Sequence, residues 1–249
     1  CCLMSVGAAC AVICDEDTAV ELTRNSKNKP LRMWVAAGSH TLRPADRRHM
    51  EIPLLPHETP GQYKDLGKRF PGGERYPGFS GFLAARMAAY YGYGMSGINN
   101  PLNDLDVVEL HDAFTISDVQ TYEDVGLRPY GEGRDYVESG DCYHTNPKTG
   151  KPGKLPSNIS GGLLGCMHSV GATGIMQAFE VAAHLWNRWA EFHGDEKRWK
   201  EFGRQKPADW QDLQVKGANR GMAISHAGVG SHVTATILMN PDHLLKKDA

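Results

Sequence analysis

The sequence is defined first by what it lacks. No apolar run approaches the roughly 18 residues of a membrane-spanning helix, so there is no candidate span. The opening "CCLMSVGAAC" has no basic start, so it does not read as a secretory signal. There is no excess of either charge. Lys and Arg total 27, Asp and Glu total 29, and the net charge is -2. That balance offers nothing to nucleic acid or an anionic membrane surface. There is also no CxxC pair. The six cysteines, Cys1, Cys2, Cys10, Cys14, Cys142 and Cys166, are spaced from the histidines in no zinc-finger pattern. They read as free, reduced thiols of a cytoplasmic protein.

What is present is glycine and an alternation of elements. The 28 glycines exceed the average share of about 7%, which implies tight turns and close backbone approaches. Gly7 to Ile13 is small and apolar, as in a buried strand. "DEDTAVELTRNSKN" predicts a short helix with an acidic start, and "LRMWVAAGSH" a strand. From His40 to Gly78 prolines, glycines and charges dissolve the pattern into a long irregular excursion, which is uncommon unless functional. "FLAARMAAYYGYG" predicts a helix, Leu105 to Leu110 a strand, and "TISDVQTYEDVGL" a helix closed by Gly126. Residues 128–160 are turn-rich with no clear element. A helix follows from about Thr173 to Trp189, with Ile175, Phe179, Ala182, Trp186 and Trp189 on one face. "DEKRWKEFGRQKPADWQD" reads as polar and exposed, and "RGMAISHAGVGSHVTATILMN" as two strands around a glycine turn. Alternating strands and helices indicate a layered α/β fold. The chain opens with Cys1 directly before a strand-like run, as a fragment or processed product would.

Three histidines follow apolar stretches among small residues. His111 ends the strand in "DVVELHDAF", where α/β sheets form ligand crevices. The plainer reading is a histidine that caps a helix or pairs with Asp112. His168 lies in "GGLLGCMHSVGATG", a glycine-rich turn before a helix N-terminus that stabilises an anion. An imidazole there takes a proton from a thiol or polarises a carbonyl; the alternative is an incidental histidine in a tight turn. His226 lies in "SHAGVGSH", beside backbone exposed by Gly228 and Gly230. His232 is given no role. Asp106, Glu109 and Asp112 cluster near the strand end. Asp106 reads as part of a solvated turn, and Asp112 as a group that orients a neighbouring imidazole. Three imidazoles can bind zinc, but no short-spaced ligand pair accompanies these, and no metal site is assigned.

"DVVELHDAF", "LPSNISGGLLGCMHSVGATG" and "GMAISHAGVGSHVTATIL" occur in the order and spacing of the C-terminal half of thiolases. The His-Asp-x-Phe motif resembles the sterol-carrier-protein/archaeal branch of that superfamily, and "CCLMSVGAACAVICDEDTAVEL" resembles the end of its N-terminal half. The resemblance implies a layered αβαβα fold. It divides the chain into the end of the N-terminal half (1–39), a loop excursion and linker (40–104) and the C-terminal half (105–249). It implies Claisen chemistry on 3-oxoacyl-CoA, with coenzyme A as substrate and no covalently bound cofactor. By the same resemblance His168 activates a nucleophilic cysteine, and His111 stabilises the thioester oxyanion. His226 stands where most thiolases place an acid/base cysteine. Gly228 is a backbone oxyanion donor, and Ala113 and Phe114 line the pantetheine channel. Implied partners are acyl-CoA, a dimer partner and a small zinc-ribbon/OB-fold subunit.

The sequence departs from the family at Met167 and Ser169, which flank the key histidine in place of Gly and Pro, and at His226. No cysteine sits in the nucleophile's motif. Cys1, Cys2 and Cys166 lie in other elements, so the thiol is expected on an upstream segment or a companion chain. Two alternatives stand beside the thiolase. One is a thiolase-like retro-aldolase acting on a β-hydroxyacyl-CoA. The other is a non-catalytic scaffold that binds lipid or a partner.

Overall fold

A computed structural model describes residues 1–39, 52–63, 81–166 and 168–241. The expected excursion lies largely outside these residues. Its described part, 52–63, is made of turns.

One four-stranded mixed sheet organises the chain. Strands β1 (Arg32–Ser39), β2 (Val107–Glu109), β3 (Arg220–Ala227) and β4 (His232–Met239) lie in the order β1-β4-β3-β2. β4 runs antiparallel to both β1 and β3, while β2 and β3 are parallel. β2 and most of β3 are buried on both faces, while β1 exposes one face and buries Ala36 and Gly38 on the other, so the side chains of the central strands serve two apolar layers. Met222, Ile224, Val233, Ala235 and Ile237 face one core cluster, while Val107, Ala223 and Leu238 face the other.

Each layer is closed by one principal helix. α2 (Leu83–Ser96) brings Ala84, Ala85, Ala88, Ala89 and Tyr93 to the first cluster. Its small residues let it approach β1 so closely that a Cβ on Gly38 would overlap the Ala84 carbonyl. Gly97, at φ 69°, ends the helix in the left-handed conformation that glycine favours. α7 (Thr173–Leu185) covers the second cluster with Val181, Ala182, Ala183 and Leu185. The result is a layered α/β arrangement of helix, sheet and helix.

The shorter helices have local causes. α1 (Glu16–Leu22) begins where the Asp15 carboxylate accepts from the Thr18 N–H at 2.9 Å. α3 (Pro101–Asp104) has Asn100 as its cap and Pro101 in its first turn. α4 (Thr115–Asp124) ends before Gly126, at φ 76°. α6 (Gly162–Cys166) precedes His168, and α9 (Glu196–Glu201) buries nothing.

Four expectations need correction. Gly7 to Ile13 is not a buried strand. It pairs with nothing in the sheet, and Val6, Val12 and Ile13 are exposed. An apolar run becomes a buried strand only where a neighbour offers a ladder and a core face, and none lies beside it among the described residues. Residues 128–160 do contain a helix, α5 (Gly133–Ser139). The helix after Thr173 stops at Leu185, because Asn187 takes φ 55°, and Trp189 starts a separate α8 (Trp189–Gly194). Its buried side holds Gln177, Glu180, Val181 and His184, while Ile175 and Phe179 are more than a third exposed.

A three-histidine candidate active site

The edge of the sheet delivers the site. His111 follows β2, and His226 is the penultimate residue of the parallel neighbour β3. His168 leaves the turn between α6 and α7. Residues separated by more than fifty positions in sequence therefore meet. The rings of His111 and His226 stack at 4.8 Å and 10°, and the ring of His168 stands edge-on to His111 at 5.1 Å and 85°. Of the six residues singled out from sequence, these three histidines converge.

Each ring is held. The His226 backbone N–H donates to His111 Nδ1 at 3.3 Å. An Nδ1 that accepts carries no proton, so the neutral ring of His111 presents its hydrogen at Nε2. His168 Nδ1 pairs with the Thr173 hydroxyl at 2.8 Å, leaving Nε2 for other chemistry. The next turn is strained, because Val170 is a β-branched residue at φ 37°. Burial, with a smaller contribution from His168, drives His111 down to about 4. Burial and the His111 ring drive His226 down to about 3. Both imidazoles are therefore neutral at physiological pH. His226 Nε2 is buried and has no hydrogen-bond partner among the described residues.

The other expected residues surround this centre. Ala113 follows Asp112 in the His111 loop, and its carbonyl accepts from the Cys2 N–H at 2.9 Å. Phe114 precedes α4 and is half exposed. Gly228 lies in the β3–β4 turn at φ 60°. Among the described residues Asp112 makes no hydrogen bond to an imidazole. Its carboxylate accepts from the Leu163 N–H at 2.7 Å and so anchors α6. Asp106 accepts from the Asn219 and Arg220 N–H groups at 2.7 and 2.9 Å and ties β2 to β3. The N-terminal stretch runs along the site, with Ser5 N–H to the His168 carbonyl at 3.0 Å and His168 N–H to the Leu3 carbonyl at 2.9 Å.

Three residues were missed or undervalued. Thr173 is the partner of His168, and only its place five residues further on hints at it. Phe82 lies edge-on to His226 at 4.7 Å and has no sequence signal at all. Glu109 is fully buried, accepts from the Ser160 backbone and hydroxyl, and is pushed up to about 8 by burial. Nearby, Cys166 donates to the Ser160 carbonyl, and burial beside Glu180 and Glu109 pushes its thiol up to about 11. A thiol so reluctant to ionise is a poor nucleophile.

The comparisons agree with the motifs. The sequence model of the family described as thiolase C-terminal domain-like matches residues 75–198. Over these residues, just under half of its length, the chain is similar to the C-terminal domain of thiolases. It is 41% identical over 105 residues to sterol carrier protein 2 of Bos taurus, covering 42% of this chain and 18% of that protein. It is 29% identical over 180 residues to the benzoylsuccinyl-CoA thiolase subunit BbsB of Thauera aromatica, covering 71% of this chain and 35% of that protein. It is 36% identical over 127 residues to an acetyl-CoA acetyltransferase of Methanothermobacter thermautotrophicus, covering 51% and 26%. The chain therefore spans well under two thirds of the length of these relatives. Among solved structures, an Ltp2-ChsH2(DUF35) aldolase aligns at a TM-score of 0.47 and 21% identity, over 64% of this chain and 32% of that one. No helix among the described residues is long and apolar enough to cross a membrane.

Proposed function

We propose that this chain is the C-terminal part of an acyl-CoA thiolase that cleaves or forms a 3-oxoacyl-CoA with coenzyme A. The observation that carries the reading is the convergence of His168 and His226 on His111, each ring within 5.1 Å of it, from three motifs in thiolase order. No covalently bound cofactor takes part; coenzyme A enters as substrate.

In this reading His168 Nε2 removes the proton from a nucleophilic thiol, while Thr173 holds Nδ1. The thiol comes from an upstream segment or from a companion chain, because no cysteine here lies in the nucleophile's motif and Cys166 Sγ donates to the Ser160 carbonyl. The Nε2 hydrogen of His111 donates to the thioester oxygen as negative charge grows there. Gly228, two residues beyond His226, offers a backbone N–H to the second oxyanion. His226, stacked on His111 and with no described hydrogen-bond partner at its buried Nε2, is placed to take and return the proton on the carbon between the two carbonyls. Ala113 and Phe114 border the pantetheine arm. A bulky or aromatic acyl group, a dimer partner, a small zinc-ribbon/OB-fold subunit and a cytoplasmic location complete the proposal.

His226 also favours a second reading. A neutral base in place of a cysteine suits removal of the hydroxyl proton of a β-hydroxyacyl-CoA in a retro-aldol cleavage. The experiment that separates the two is cleavage of a 3-oxoacyl-CoA and of a β-hydroxyacyl-CoA by the complete protein, each with and without coenzyme A. A thiolase needs the added thiol, and an aldolase cleaves its hydroxy substrate without it.

A further inference from the structure

Phe82 packs against the imidazole of His226. Its ring meets His226 in a T-shaped contact at 4.7 Å and 67°, while His111 stacks on the same imidazole at 4.8 Å. The phenyl ring is itself wedged. A methyl on Gly230 would come within 2.5 Å of it, so the β3–β4 turn packs directly against the ring. Its backbone is anchored too. The Phe82 N–H donates to the carboxylate of Asp124, at the end of the helix that leaves the His111 loop, and Tyr130 donates to the same carboxylate at 2.7 Å.

We infer that Phe82 is a positioning residue for His226, clamping its imidazole against His111 and sealing Nε2 from solvent. The inference rests on the reading of His226 as the proton-transfer group. A clamped imidazole keeps one orientation toward the substrate carbon, and a sealed one stays neutral with no water competing for Nε2. The titratable groups around it are His111, His168 beyond that ring and His232 on β4, with Asp124 behind Phe82. Phe82 adds no charge, so its effect acts through exclusion of water.

The test is histidine titration by NMR on the complete protein, which needs no turnover. Phe82→Ala is expected to raise the proton affinity of His226 at least about tenfold, one pKa unit. Phe82→Leu, which keeps most of the core volume, is expected to raise it about threefold and decides the matter if the alanine variant does not fold. Unchanged His226 titration in the folded variants overturns the inference. A failure of the thiolase reading looks different: His168→Ala would then keep full cleavage while His226 still responds to Phe82.

Discussion

The backbone N–H of His226 donates to Nδ1 of His111 across 3.3 Å, joining residues 115 positions apart in sequence. This one bond sets the tautomer of His111 and so aims a hydrogen from Nε2. It also makes the parallel pairing of β2 and β3 part of the chemistry, because a slip in that register would separate the two residues.

The first prediction concerns that hydrogen. Replacing His111 by Leu, which cannot donate, should lower kcat of the complete protein by about 100- to 1,000-fold with little change in KM. His111→Asn restores a donor on a side chain of similar reach and should recover most of the loss. Steady-state kinetics of the two variants check this. Equal losses in both would deny the donor role.

A second prediction uses Glu109. Burial raises its folded pKa to about 8, against an ordinary value near 4.5. Between those values the folded state holds a proton that the unfolded state has released. The stability that this group contributes is therefore fully present below about pH 4.5 and is lost as pH rises toward 8, by at most about 1.4 kcal/mol per pH unit. Glu109→Gln keeps the shape without the titration. Denaturant unfolding from pH 5 to 8 should show the unsubstituted protein losing stability relative to the variant. Parallel curves would contradict the shift.

Much of this architecture was legible. Asp15 and the acidic turn after it marked α1, Gly126 marked the end of α4, and Gly228 and Gly230 marked the turn between β3 and β4. Local capping and turn chemistry decide such features, so the sequence carries them. The three histidines were legible because each sits in its own glycine-rich or strand-end motif. The failures were tertiary. Gly7 to Ile13 has the composition of a strand but lacks a neighbour. α5 buries Tyr136 and fits Gly133 closely against the Val119 carbonyl, and neither contact is visible in "GRDYVES". Phe82 belongs to the site only because the Gly230 turn and Asp124 place it there.

A third prediction addresses how the described segment 52–63 is held. Arg86 is fully buried, pairs with Glu58 and donates to the Pro53 carbonyl at 2.8 Å, while Tyr63 donates to Glu58. Removing one partner strands a buried charge. Glu58→Leu should cost about 3–5 kcal/mol, and adding Arg86→Met should return part of that loss. Chemical denaturation of the single and double variants checks the order. A double variant less stable than the single would contradict it.

The central claim is that His168 activates the thiol of a thiolase. The most direct measurement is the rate of coenzyme A-dependent 3-oxoacyl-CoA cleavage by the complete protein before and after His168→Ala. The account predicts a fall in kcat of at least about 100-fold, the contribution of a positioned general base. An undiminished rate in the variant would contradict it.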